Sequence, residues 1–152
     1  MEVKLDEIDL TILREIQNNA RINNSELARI LEMAPSAVLE RVKKLEQKEV
    51  ILSYHAKINP LALGQRLLAF ISIKVNDIIG DEKTGKLLAE IPEVLEVHDI
   101  AGDDGYIIKV RTEDTTSLMN LMKRSLSHIP GIVSTKTTIV LHTVKEDNQL
   151  TI

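Results

Sequence analysis

The chain has no cysteine. Disulfides and thiolate metal sites are therefore excluded, and a reducing, cytoplasmic setting is expected. Aromatic residues make up only 2% of the chain, so any core has to rest on Leu, Ile and Val. No apolar run approaches the roughly 18 residues of a membrane-spanning helix, and no membrane partner is expected. The first ten residues, MEVKLDEIDL, are acidic and have no basic stretch followed by an apolar one, so they do not read as a signal peptide. Net positive charge is missing too. The formal charge is −4, which argues against a protein that coats nucleic acid by bulk charge but leaves room for a local basic patch.

What is present suits one ordinary domain or two small ones. The length is 152 residues, 43% are apolar and 28% are charged. The chain organises around residues 24–48, NSELARILEMAPSAVLERVKKLEQK. Asn24 is the expected N-cap of a helix on which Leu27, Ala28 and Leu31 form one apolar face. Glu32-Met33-Ala34 makes a corner, and Pro35 restarts the chain as a helix because its fixed φ suits the first helical position. In that second helix Val38, Val42 and Leu45 form a buried stripe. Ser36, Glu40, Lys43, Lys44 and Gln47 lie opposite, with Ala37 and Arg41 on the flank. Small residues near the start and cations further along are what a helix in the DNA major groove needs. The bland alternative is a surface helix of a small bundle. Asn24, Ser25, Ser36, Ala37, Glu40, Arg41, Lys43 and Lys44 are the candidate DNA contacts.

A preceding helix is read from Leu5, Ile8, Ile12, Leu13 and Ile16, with Asp6 placed to cap it. After the pair, Leu52, Tyr54, Ala56 and Ile58 alternate with polar residues, which predicts a half-buried strand. Residues 60–64 form a joint, giving domains 1–60 and 61–152. The second domain reads as a strand from Leu67 to Val75, a helix over 81–91, a strand over 94–100 and a turn at Gly102-Asp103-Asp104-Gly105. A strand from Tyr106 to Arg111, a helix over 115–129 and a long strand over 132–144 complete it. Ile91-Pro92-Glu93-Val94 and Ile129-Pro130-Gly131-Ile132 echo each other, each closing a helix and opening a strand. The predicted class is α+β: a winged helix-turn-helix followed by a ferredoxin-like βαββαβ domain. Such a sheet has helices on one face only. Leu68 and Phe70 on the other face call for a cover, so a homodimer is expected.

Four stretches in order carry a resemblance: LDEIDLTILREIQNNARINNSELA, LERVKKLE, the VI…Y…NP…LG joint and the closing TIVLHTVKEDNQLTI. Over nearly its full length the chain resembles the Lrp/AsnC, or feast/famine, transcription regulators. That resemblance implies double-stranded DNA as a partner, dimers assembling into tetramers or octamers, and an amino-acid effector held between dimers. It places the effector near Gly102, Asp103, Asp104 and Tyr106, where a carboxylate suits an α-ammonium group. The chain departs from the family pattern at several positions. Glu32 and Glu49 stand where the family has Gly, Ala34 where it has Ser, Asp104 where it has an aromatic, and Gly105 where it has Asp. On the residues alone, Asp-Asp-Gly also reads as a plain hairpin turn.

No catalytic residue, metal or cofactor is expected. His55, His98, His128 and His142 are scattered without ligand spacing, and neither a nucleophile elbow nor a phosphate-cradling Gly loop is present. Two other classes compete: an amino-acid sensor or assembly protein without a DNA role, and a small βαββαβ enzyme.

Overall fold

The computed structural model describes residues 3–76 and 82–152. Two compact units emerge, Met1–Ile58 with Lys145–Ile152, and Asn59–Val144.

In the first unit α1 (Glu7–Asn18), α2 (Asn24–Ile30) and α3 (Pro35–Gln47) surround one aliphatic cluster of Ile12, Leu13, Leu27, Ala28, Val38, Val42 and Leu45. Asp6 caps α1 as expected. It forms a capping box in which each of Asp6 and Asp9 accepts from the other's backbone N–H. The cap of α2 is a correction. Asn23, not Asn24, takes that position, accepting from the Glu26 N–H while the Glu26 side chain accepts from the Asn23 N–H. Only Asn23 has a Glu three residues on, so only it can close the box.

The predicted strand at Leu52–Ile58 does not form. Among the described residues this segment joins no sheet, and Leu52 is 83% exposed. Alternation marks two faces, but a strand also needs a ladder partner, and none pairs with this segment among the described residues. Tyr54 ties the segment to α3 by donating to Glu46 at 2.8 Å. Partial burial and that carboxylate push its phenol up to about 12. The C-terminal tail, read from the sequence as part of the second domain, groups with the first unit. The Gln17 amide accepts from the Leu150 N–H at 2.7 Å and donates to the Leu150 carbonyl, while Arg14 donates to the Ile152 carbonyl.

The second unit runs β1 (Leu67–Val75), α4 (Lys83–Ala89), β2 (Val94–Asp99), β3 (Tyr106–Thr112), α5 (Thr115–Arg124) and β4 (Ile132–Ile139). Its sheet is antiparallel in the order β2-β3-β1-β4. Asp81, the expected first residue of α4, lies outside the described residues. α5 stops at Arg124 rather than 129, and the chain tightens into a 3-10 turn over Leu126–His128. Pro130 pushes Ile129 into extended backbone, which forbids a longer helix. Leu126, missed as a core residue, is 2% exposed because that turn swings it inward. β4 ends at Ile139 rather than 144. Its last bond to β1 is from Val140 N–H to the Leu68 carbonyl at 2.9 Å, and Leu141 beyond it is 98% exposed.

One face of the sheet carries the core: Ala69, Ile71 and Ile73 from β1 and Tyr106, Ile108 and Val110 from β3 pack with Leu88, Leu118, Leu121 and Leu126. The other face carries half-buried Phe70 and Ser72 from β1 beside half-buried Ile107 and Lys109 of β3, while Leu68, expected to need a cover, is only 6% exposed within this chain. Lys109 bonds Glu96 at 3.0 Å, and this ammonium, aided by His98, holds the Glu96 carboxyl below its usual range against the opposing effect of burial. Among the described residues, no helix is long and apolar enough to cross a membrane.

Candidate functional site

The outward side of α3 follows from its buried one. Val38, Val42 and Leu45 are drawn into the aliphatic cluster, so Ser36, Glu40, Lys43 and Gln47 are exposed along one stripe. Beside it runs a flank of Ala37, Arg41, Lys44 and Lys48. Ala37 and Arg41 are half-buried; Lys44 and Lys48 are exposed. On α2, Asn24 is half-buried in the first turn and Ser25 is exposed.

Arg41 is not a free cation. Its Nη1 donates at 2.8 Å to Asp6 Oδ2 and at 2.8 Å to Asp9 Oδ1. The two carboxylates hold Arg41 above its already high value. The Asp9 N–H first, and Arg41 second, hold the Asp6 carboxyl below its ordinary 3.8. Lys4, Asp9, Arg41, Lys44 and Lys48 line one shallow cleft against Leu5 and Leu45. Lys4 gave no signal in the sequence, because only the fold brings the stretch before α1 against α3.

The corner between α2 and α3 and the end of α3 share one geometry. At the first, Met33 N–H bonds the Ala28 carbonyl and Glu32 N–H the Arg29 carbonyl. At the second, Val50 N–H bonds the Leu45 carbonyl and Glu49 N–H the Glu46 carbonyl. Both are Schellman motifs, whose penultimate residue needs left-handed backbone. Glu32 and Glu49 supply it at φ 52° and 56°. These are the positions where the family pattern has Gly. Ala34, the N-cap of α3, makes no side-chain cap bond.

In the second unit the loop between β2 and β3 splits the four expected effector residues. Gly102, at φ 155°, and Asp103 are exposed, and Asp104 is half-buried. Tyr106 is only 7% exposed and belongs to the core cluster. A Cβ built on Gly85 of α4 would stand 2.9 Å from the Tyr106 ring, so α4 crosses the ring only because residue 85 has no side chain. Gly105 is equally constrained, since a Cβ there would come within 2.4 Å of a Val75 methyl. The aspartate of the family pattern could not occupy position 105 unless Val75 moved. Among the described residues, no three His, Asp or Glu side chains are grouped to hold a metal ion.

A helix-turn-helix with an outward polar stripe, joined to a βαββαβ unit, defines a two-domain regulator in which one part can grip DNA and the other can hold a ligand. Comparison with known proteins places it more closely. Residues 5–51 match the family described as winged helix-turn-helix DNA-binding, and residues 68–150 match the Lrp/AsnC ligand binding domain. The leucine-responsive regulatory proteins of Klebsiella pneumoniae and Escherichia coli are each 36% identical over 150 residues, covering 97% of this chain and 92% of theirs. The structure of the Mycobacterium tuberculosis feast or famine regulatory protein complexed with L-methionine is similar at TM-score 0.88 and 34% identity. The match covers 97% of this chain and 99% of that one. A Neisseria meningitidis transcriptional regulator in complex with L-Met matches at TM-score 0.89 and 26% identity, covering 97% of each chain. The chain belongs to the Lrp/AsnC family of DNA-binding transcription regulators.

Glutamate in left-handed backbone costs about 1 kcal/mol relative to glycine. Glu32→Gly and Glu49→Gly are each expected to raise unfolding stability by about that much in urea titration. A loss of stability in both would mean that the glutamate side chains contribute more than their backbone costs.

Proposed function

We propose that α3 is the recognition helix of a dimeric, cytoplasmic regulator whose hold on DNA is changed by an amino acid or a related small metabolite. The observation that carries the reading is the exposed stripe of Ser36, Glu40 and Lys43, with Lys44 beside it, opposite the buried Val38, Val42 and Leu45. Ser36 and Ala37 are short enough for close approach to bases, and Glu40 can accept from a cytosine amino group. Lys43 and Lys44 neutralise phosphates or reach guanine edges. Asn24 and Ser25, in the first turn of α2, contact the backbone, where helix N-termini favour phosphate.

Assembly follows from the second unit. The sheet face bearing Phe70 and Ile107, with Leu68 already buried beneath it, is the dimer surface in this reading, and two-fold symmetry sets two copies of α3 on an approximately palindromic site. Dimers then pair into tetramers or octamers. The effector loop is Gly102, Asp103 and Asp104, with Tyr106 as its buried support; the carboxylates receive an α-ammonium group. Support comes from the two relatives whose structures contain L-methionine. The curated relatives are named as regulators, which favours this over an enzyme. A sensor without a DNA role would retain no sequence from a random duplex pool.

Lys43→Ala and Lys44→Ala are each expected to weaken binding on all sequences and to flatten the salt dependence by roughly one unit of slope per lost phosphate contact. Unchanged affinity and slope in both variants would remove them from the interface. Phe70→Asp is expected to dissociate or unfold the assembly. A wild-type monomer at micromolar concentration by light scattering would contradict the dimer directly. Titration of the twenty amino acids by calorimetry is expected to reveal at least one ligand, weakened by Asp103→Ala or Asp104→Ala. A coupling of about 1–3 kcal/mol changes operator affinity roughly 5–150-fold, and operator DNA must shift ligand affinity by the same factor. If no amino acid binds, the loop is a turn only.

A further inference from the structure

Given α3 as the recognition helix, a reading on which this step rests, we propose that Arg41 is a positioning residue that sets the rotation of α3 on α1, not a DNA contact. The packing beneath α3 is Val38, Val42 and Leu45 on other aliphatic side chains. Such contacts are non-directional, and close packing alone holds a helix without naming one polar partner for it. A roll of roughly 10° moves an atom at the helix rim, about 5–6 Å from the axis, by roughly 1 Å. Hydrogen bonds to base edges tolerate less, since N–H···O distances span only about 2.7–3.2 Å. Some directional hold is therefore required. The start of α3 adds no side-chain hold beyond the corner's backbone bonds, because Ala34 makes no side-chain cap bond.

Arg41 does. It lies in the middle of α3, on the flank between the buried stripe and the outward one, where a tether best controls rotation. Its Nη1 bonds one oxygen of Asp6 and one of Asp9, both at 2.8 Å. The other oxygens of those carboxylates are already spent. Asp6 Oδ1 accepts the Asp9 N–H at 2.8 Å and Asp9 Oδ2 accepts the Asp6 N–H at 3.3 Å. The guanidinium is thus bonded to a box that is rigid with the first turn of α1. Charge-assisted bonds of this kind are shorter and stronger than neutral ones. The same bonds place a cation between two acids that would otherwise repel each other.

The test measures affinity for an operator selected from a random duplex pool and for a scrambled duplex, each over a range of salt. It uses full-length wild type, Arg41→Ala, Asp9→Asn and the double variant. Asp9→Asn keeps an acceptor for the Asp6 N–H and so preserves the cap; circular dichroism melts check folding in every case. The expected result is that either substitution lowers the operator-to-scrambled ratio by about tenfold, on the order of one lost base contact. The salt slope stays in place, and the double variant loses no more than either single one. The proposal is overturned if Arg41→Ala weakens both duplexes alike and lowers the slope by about one unit, the signature of a phosphate contact. It is equally overturned if Asp9→Asn strengthens both and raises the slope, or if the ratio is unchanged in folded variants. Wild-type protein that retains no duplex at all defeats the DNA reading itself, a result distinct from each of these.

Discussion

Both units depend on aliphatic burial with no disulfide and, among the described core residues, a single aromatic ring, Tyr106. Two small clusters, one around Ile12, Leu27 and Val38 and one around Ile71, Ile108 and Leu126, hold the two units. Leu, Ile and Val contribute roughly 1.5–3 kcal/mol each when fully buried, but they carry no direction. Orientation therefore has to come from polar bonds at the edges of each cluster. In the helical unit these are the capping boxes at Asp6 and Asn23, the paired carbonyl bonds after α2 and α3, and the guanidinium of Arg41.

That division explains why departures from the family pattern are tolerated. Glu32 and Glu49 occupy left-handed backbone that glycine would fill at lower cost, and Ala34 leaves α3 without a side-chain cap. Each loss is on the order of 1 kcal/mol. The Schellman bonds and the burial of Met33 and Val50 against the cluster preserve the corner all the same. At Gly105 the constraint runs the other way. The backbone lies so close to Val75 that a side chain fits only if Val75 moves, and the loop's acids are Asp103 and Asp104. A ligand at the proposed effector loop would meet the carboxylates of exposed Asp103 and half-buried Asp104, not one from the position that leads into β3.

Periodicity made the elements that bury one face legible. α3, β1 and β3 appear where their stripes predicted, because Val38–Val42–Leu45 and Ala69–Ile71–Ile73 bury the same face from end to end. The family was legible as well, since the paired helices and the joint occupy fixed positions along the chain. Leu52–Ile58 shows the limit. Its alternation is as clean as that of β1, yet it joins no ladder among the described residues. A single chain's pattern specifies faces, not partners.

By itself the sequence determined the class of fold, the order of the three helices and of the βαββαβ elements, and which helix presents cations outward, all consequences of side-chain spacing and backbone preference over a few residues. Only the tertiary structure decided that Arg41 is bonded to Asp6 and Asp9, that Lys4 joins the cleft beside α3, that Tyr106 turns into the core beneath Gly85 and that the tail lies along α1 through Gln17. The physical reason is common to all four. A hydrogen bond or a close contact acts over about 3–4 Å between groups that stand 32 to 133 residues apart along the chain in the cases of Arg41 and Gln17, and no local pattern of residues encodes which distant group arrives within that distance.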